Sequence, residues 1–165
     1  MGSLPRLLLI GFAASAAAFP LSAQRADDQI LPKSAELQHQ GQALLGNGKL
    51  EQAEDMLETS LAVDPRNRWA YVDLARVAEK QHLFGKAIRM TQKALIIEPN
   101  DPDAIAVQGE AMVEMGATPR AQENLAKLEK LCAPKGCPQV AQLSAAISRG
   151  PTVASAKVPE SPKKD

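Results

Sequence analysis

Residues 68–101 read RWAYVDLARVAEKQHLFGKAIRMTQKALIIEPND, and an imperfect copy of that text returns when the chain is shifted by 34 residues in either direction. Ala87 then falls on Ala53 and Ala121, Ala75 on Gly41 and Gly109, and Pro99 on Pro65. A fixed period of this size is what a stack of similar helix pairs leaves in a sequence. One such pair cannot bury its apolar face alone, so neighbours must pile on one another.

Within each copy the apolar residues recur at spacings of three and four, the helical period. In residues 34–67, Ser34 is a candidate N-cap and Leu37, Gly41, Leu44 and Leu45 share one face. Asn47-Gly48 breaks that helix, and a second runs from about Leu50 to Val63 until Asp64-Pro65 stops it. In residues 68–101, Asn67 caps a helix to about Gln81, residues 82–84 turn the chain, and a helix from Gly85 to Ile97 ends before Pro99. In residues 102–133, Asp101-Pro102 and Thr118-Pro119 each read as a capping residue followed by proline at the first helical position.

These three copies resemble tetratricopeptide repeats, helix-turn-helix units whose small residues sit where the paired helices approach most closely. In that register the small positions hold Gly41, Ala53 and Ser60, then Ala75, Ala87 and Ala94, then Gly109 and Ala121. The large ones hold Leu37, Leu44 and Leu57, then Tyr71 and Leu74, then Ile105, Met112 and Leu125. Gln40, Gln108, Thr91 and Leu128 depart from the pattern. The resemblance implies an all-α fold, a right-handed superhelical solenoid of three repeats, and residues 134–149 add a turn and a C-terminal capping helix from Pro138 to Ser148.

The flanks are different in kind. Residues 1–23 carry Arg6, an apolar stretch from Leu7 to Ala18 and the small residues Ser22-Ala23, the layout of a cleaved export signal. Residues 24–33 lack periodicity and read as a linker. Residues 150–165 are rich in Pro, Ser and Lys and are expected to be a disordered tail. The expected location is therefore the periplasm or the medium, with no membrane span once the signal is removed.

Charge excludes some partners. The chain has 19 basic and 19 acidic residues, and removal of 1–23 takes only Arg6, leaving 18 − 19 = −1. That balance recommends neither nucleic acid nor an anionic membrane surface.

Cys132 and Cys137 flank a Pro and Gly loop between the last repeat and the capping helix. In an exported chain a pair this close forms a disulfide. A redox dithiol would place its cysteines two residues closer. A metal site would need ligands that His39 and His82, both in earlier repeats, do not supply. No serine or histidine has the neighbours that nucleophilic or acid-base catalysis needs, and no glycine run forms a phosphate loop, so no catalytic residue, metal or cofactor is expected.

In the family it resembles, the first helix of each repeat lines a concave groove in which ligand peptides lie. Carried over, the groove positions are Gln38, His39 and Gln42, then Trp69, Val72, Asp73, Arg76 and Lys80, then Asp103, Ala106, Val107, Glu110 and Glu114. Trp69 offers a large apolar surface with one N–H donor, suited either to anchoring a partner or to packing against the preceding helix end. Some repeats of this kind clamp a peptide's terminal carboxylate with Lys, Asn and Arg. The corresponding places here hold Gln38, Gln42, Asp73, Asp103 and Val107, and the two acids would repel it. The expected function is thus a non-enzymatic scaffold that binds an extended segment of another envelope protein. A thiol-disulfide accessory factor using Cys132 and Cys137 is the alternative, and self-association through the uncovered first repeat stays open.

Overall fold

The computed structural model describes residues 29–152; the expected signal, half of the linker and most of the tail lie outside them. Seven helices follow in order: α1 (Pro32–Gly46), α2 (Leu50–Val63), α3 (Arg68–Lys80), α4 (Phe84–Ile97), α5 (Pro102–Glu114), α6 (Thr118–Cys132) and α7 (Pro138–Arg149). Each packs on the next, while α1, α3, α5 and α7 also touch one another in series along one side. The result is an all-α solenoid whose odd-numbered helices form the inner wall.

The 34-residue period is written into the backbone of the turns. Gly48, His82 and Gly116 all adopt positive φ, at 72°, 59° and 77°. The next amide in each case reaches back to the helix just ended, Lys49 to the Leu44 carbonyl, Leu83 to Ala78 and Ala117 to Met112. One left-handed residue therefore reverses the chain at the same point in every repeat, a helix termination that normally uses glycine. His82 meets the same requirement without the freedom of glycine.

This turn corrects one expected helix start. The α6 N-cap is Ala117, not Thr118, and Pro119 sits one place further in. Ala117 occupies the register of Lys49 and Leu83, which precede α2 and α4. Backbone geometry at the turn overrides the Thr-Pro signal. A second correction concerns Ser34. The α1 N-cap is Leu31, with Pro32 at the first helical position, and the Leu31 amide donates to Asp64 Oδ2 at 3.0 Å. Ser34 lies inside the helix instead, fully buried. Its Oγ donates to the Ser60 carbonyl at 2.8 Å, the Ser60 hydroxyl returns a bond to the Ser34 carbonyl, and Asn67 Nδ2 donates to Ser34 Oγ at 3.0 Å. Asn67 and Asp101 do cap α3 and α5, accepting from the Ala70 and Ala104 amides. Arg68 spans the repeat boundary to Asp101 Oδ2 at 2.7 Å.

The core runs as three linked clusters. Leu45, Leu57, Leu74 and Val77 fill the first, Val72, Ala75, Ala87 and Val107 belong to the second, and Ile105, Leu128 and Leu143 to the third. Met90 borders the first two clusters and Leu95 the last two. Small residues set the helix separations. A Cβ on Gly41 would lie 2.6 Å from Leu57 Cγ and 3.3 Å from the Ala53 carbonyl. One period later Ala75 and Thr91 stand where Gly41 and Leu57 stood, a larger residue at the first position and a shorter one at the second. Gly109 does the same for the capping helix, since its Cβ would lie 2.6 Å from Leu143 Cδ1.

Cys132, the last residue of α6, is bridged to Cys137, the N-cap of α7, as expected. Through it and through Leu143, α7 is held against both α5 and α6.

Two outcomes follow for stability. Gly41→Ala destabilises by about 1–3 kcal/mol, the usual cost of overpacking, because Leu57 Cγ and a backbone carbonyl cannot both yield. Gly109→Ala costs less, since the nearest atoms are the terminal methyls of Leu143; chemical denaturation of the two variants measures the order. Replacing both cysteines by serine lowers stability by about 2 kcal/mol, the chain-entropy value for a loop of this length, and thermal melting with and without reductant checks it.

Candidate functional site

On the inner wall a single row of hydrogen bonds crosses four helices. Gln38 Nε2 of α1 donates to Asp73 Oδ2 of α3 at 2.5 Å. Arg76 donates from Nη1 to Asp73 Oδ1 at 3.0 Å and from Nη2 to Asp103 Oδ1 of α5 at 2.8 Å. Gln139 Nε2 of α7 closes the row on the same Asp103 oxygen at 3.3 Å. Every helix of the wall thus contributes, α3 with two members, and the guanidinium at the centre has each carboxylate on a different helix. Asp73 is buried, and that burial pushes its carboxyl up, against the Gln38 hydrogen bond and the Arg76 charge. The row fixes how far apart the inner helices stand.

Beside it, towards the C-terminal ends of α3 and α5, lies a cavity of about 210 Å³ lined by Glu79, Lys80, His82, Phe84, Glu110, Glu114, Arg149 and Thr152. Three carboxylates face one small space there. Burial raises the Glu79 pKa to about 8, with the charges of Glu110 and Glu114 adding to it and Arg76 and Lys80 opposing it. Burial also raises Glu110, against a Gln142 hydrogen bond and the Arg76 and Arg149 charges. Glu110 Oε1 is buried with no hydrogen-bond partner among the described residues. Such a space favours a cation or a hydrogen-bond donor from outside.

Of the expected groove residues, Gln38, Asp73, Arg76 and Asp103 meet in the polar row, and Lys80, Glu110 and Glu114 line the cavity. His39 and Gln42 are exposed on α1. Trp69 opens α3 with 43% of its surface exposed, and the Arg68 guanidinium lies 4.0 Å from its ring centroid. Val72, Ala106 and Val107 are a correction: all three are buried in the core clusters. The inner helices pack through two faces, against their own partner helix and against the next repeat, and the second contact hides these side chains. Missing from the expectation were Glu79, Gln139, Arg149 and Thr152. Glu79 was findable at i+3 from Arg76. The other three belong to α7 and the turn after it, which acts as a fourth inner helix as well as a cap. Leu143 one period after Gly109 was the available sign.

A second hollow, of about 430 Å³, lies at the turn edge and includes Leu83, Phe84 and Met115; Leu83 and Met115 are well exposed. Among the described residues no helix is long and apolar enough to cross a membrane, and no three His, Cys, Asp or Glu side chains stand close enough to hold a metal.

Residues 44–108 match the tetratricopeptide repeat family. That stretch is of the tetratricopeptide-repeat family, and the helices around it share the fold. In sequence, a 71-residue stretch making up 43% of the chain is 44% identical to cellulose synthase 2 operon protein C of Komagataeibacter xylinus, and covers 5% of that protein's length. In fold, the repeats superimpose on the Sgt2 tetratricopeptide domain of Aspergillus fumigatus with a TM-score of 0.66 at 20% identity, over 73% of this chain and 80% of that one. The first such domain of Spaghetti (RPAP3), bound to the HSP90 peptide SRMEEVD, gives 0.65 at 19% identity, over 73% and 97%. PcrH, in complex with the chaperone binding region of PopB, gives 0.62 at 16% identity, over 68% and 93%.

The acidic cavity makes stability depend on pH. Glu79 holds its proton in the folded state to about pH 8 but releases it near 4.5 when unfolded, so folding takes up a proton between those values. Its stabilising contribution is complete below about 4.5 and is lost as pH rises through 8. Glu79→Gln therefore raises stability at pH 8.5 by on the order of 1–3 kcal/mol and changes little at pH 4, an effect read from thermal melts across that range.

Proposed function

We propose that the protein is a non-enzymatic interaction module of the bacterial cell envelope whose concave wall holds an extended segment of a partner protein. The polar row from Gln38 to Gln139 carries this reading. It holds four inner helices in register, and it leaves Trp69 at one end of α3 and the cavity at the other open to a ligand. An extended chain laid across the wall meets an indole, a row of donors and acceptors, and a pocket of carboxylates.

The wall's charges narrow the partner. Asp73, Asp103, Glu110 and Glu114 face Arg76, Lys80 and Arg149, with Glu79 protonated below about pH 8, a slight excess of acid that suits a segment carrying a basic residue. The places of a carboxylate clamp hold Gln38, Gln42, Asp73, Asp103 and Val107. An acidic peptide such as SRMEEVD, bound by the Spaghetti domain, fits this wall poorly. The envelope setting rests on the export-like residues 1–23 and on the likeness to a cellulose synthase operon protein over part of the chain. The outer surface of α1 and α2 has no large exposed apolar side chain among the described residues, which disfavours self-association through the first repeat.

Affinity capture from the native envelope tests the proposal. Trp69→Ala and Arg76→Ala should each reduce the captured partner at least about tenfold, the effect of losing roughly 1.4 kcal/mol, while circular dichroism stays helical. Retention of the same partner by both folded variants overturns the groove. The C132S/C137S variant should capture as well as the parent. Loss of capture with folding intact would instead point to thiol chemistry at that pair.

A further inference from the structure

The turns of the stack share one geometry, and at one edge three residues depart from what the sister turns use. The residue before α4 is Leu83, where Lys49 precedes α2 and Ala117 precedes α6. Met115 closes α5, where Asn47 closes α1 and Gln81 closes α3. His82 takes the positive φ that falls to Gly48 and Gly116 elsewhere, uncommon for a residue with a Cβ. Polar or small residues do this structural work in the other turns, so the fold itself does not call for a leucine and a methionine here. Both stay open to solvent, Leu83 over 49% and Met115 over 58% of their surface. With Phe84 they line the hollow of about 430 Å³ at that edge.

Charge marks the same hollow. Lys86 and Arg89 line it, and no carboxylate does. Lys86 is held by Glu54, but Arg89 makes no ion pair or hydrogen bond among the described residues. Its guanidinium lies back along α4, 3.7 Å from where a Cβ on Gly85 would stand, beside the apolar side chains. His82 and Phe84, edge to face with ring centroids 5.9 Å apart, line both this hollow and the cavity of the inner wall, and so stand between the two. The hollow is cationic where its neighbour is rich in carboxylates.

We infer that this edge is a second docking site, for a partner segment that carries a large apolar side chain beside a carboxylate. The apolar group fills the space between Leu83, Phe84 and Met115, and the carboxylate pairs with Arg89. Covering Leu83 and Met115 supplies the apolar gain, and a planar guanidinium suits a carboxylate held by two bonds. The occupant is acidic because the lysine and arginine that line the hollow face no carboxylate within it. Size agrees: ligand clefts run from roughly 300 to 1,000 Å³, and a hollow at the small end of that range takes a side chain or two and not a whole helix. This goes beyond the concave wall, whose charges suit a basic residue. One module then holds two segments of opposite charge on adjoining faces.

NMR titration of the full-length chain with three blocked pentapeptides tests the inference. ELFEE carries the apolar groups and the carboxylates, KLFKK reverses the charge, and ESSEE removes the apolar groups. ELFEE should move the Leu83, Gly85 and Arg89 amide signals and the Met115 methyl signal, leave those of Gln38 and Asp73 in place, and bind with a Kd below about 1 mM. At these edge signals KLFKK and ESSEE should each bind at least about tenfold more weakly, and so should ELFEE to Arg89→Glu or to the Leu83→Lys, Met115→Gln double variant. The double variant carries residues that sister turns use, so its circular dichroism stays helical. An equal effect of KLFKK at the edge, ELFEE shifts centred on Asp73 and Asp103, undiminished binding to Arg89→Glu, or no saturable binding overturns the site. Dimerisation that broadens the same signals without peptide would give the hollow to a second copy and overturn the partner assignment. The peptides and variants leave the groups of the concave wall intact, so failure here leaves the partner-binding proposal for that wall standing.

Discussion

Ala53, Ala87 and Ala121 have no exposed surface at all, and the Ala53 carbonyl lies 3.3 Å from where a Cβ on Gly41 would stand. That approach is the constraint on which everything else rests. A larger side chain at any of the three would separate the pair, tilt the next repeat and break the alignment of the inner helices. Gly41 against Leu57 gives way one period later to Ala75 and Thr91 at the same positions, a different division of volume. What is preserved is the combined bulk across the interface, as expected for interiors packed to crystal-like density.

Once the helix pairs nest, the inner helices stand side by side and polar groups can bridge them. Asp73 is an expensive residue to bury alone, yet Gln38 from one repeat and Arg76 from its own helix satisfy both of its oxygens. Arg76 then passes the connection to Asp103, and α7 completes it through Gln139. Structural and binding roles are therefore hard to separate on this wall. The groups that hold the repeats in register are the same groups that a ligand would meet. The cavity beside them departs from this rule, because its carboxylates are gathered by the packing and only partly answered by it.

The sequence was most legible where one residue type had one physical job. Proline after α2 and α4, the asparagine and aspartate caps of α3 and α5, the small residues at the close approaches and the cysteine pair all stand where their chemistry places them. It was least legible where backbone competed with side chain. Thr118-Pro119 looked like a helix start, but the left-handed residue at 116 had already fixed the start one place earlier. Ser34 looked like a cap, yet Asp64, 30 residues on, takes hold of Leu31 and moves the helix start back.

The 34-residue period, the alternation of small and large apolar positions and the turn residues determined by themselves that this chain is a stack of helix pairs. Each of those signals acts between residues close in sequence or one period apart, so it can be read along the chain. Which polar residues line the wall was decided only by the tertiary structure. Val72, Ala106 and Val107 share helix faces with Arg76 and Glu110, and only contact with the neighbouring repeat buries the first three and leaves the others partly exposed. Likewise Glu79, Glu110, Arg149 and Thr152 belong to separate helices and a turn, and nothing short of the folded solenoid brings them round one cavity.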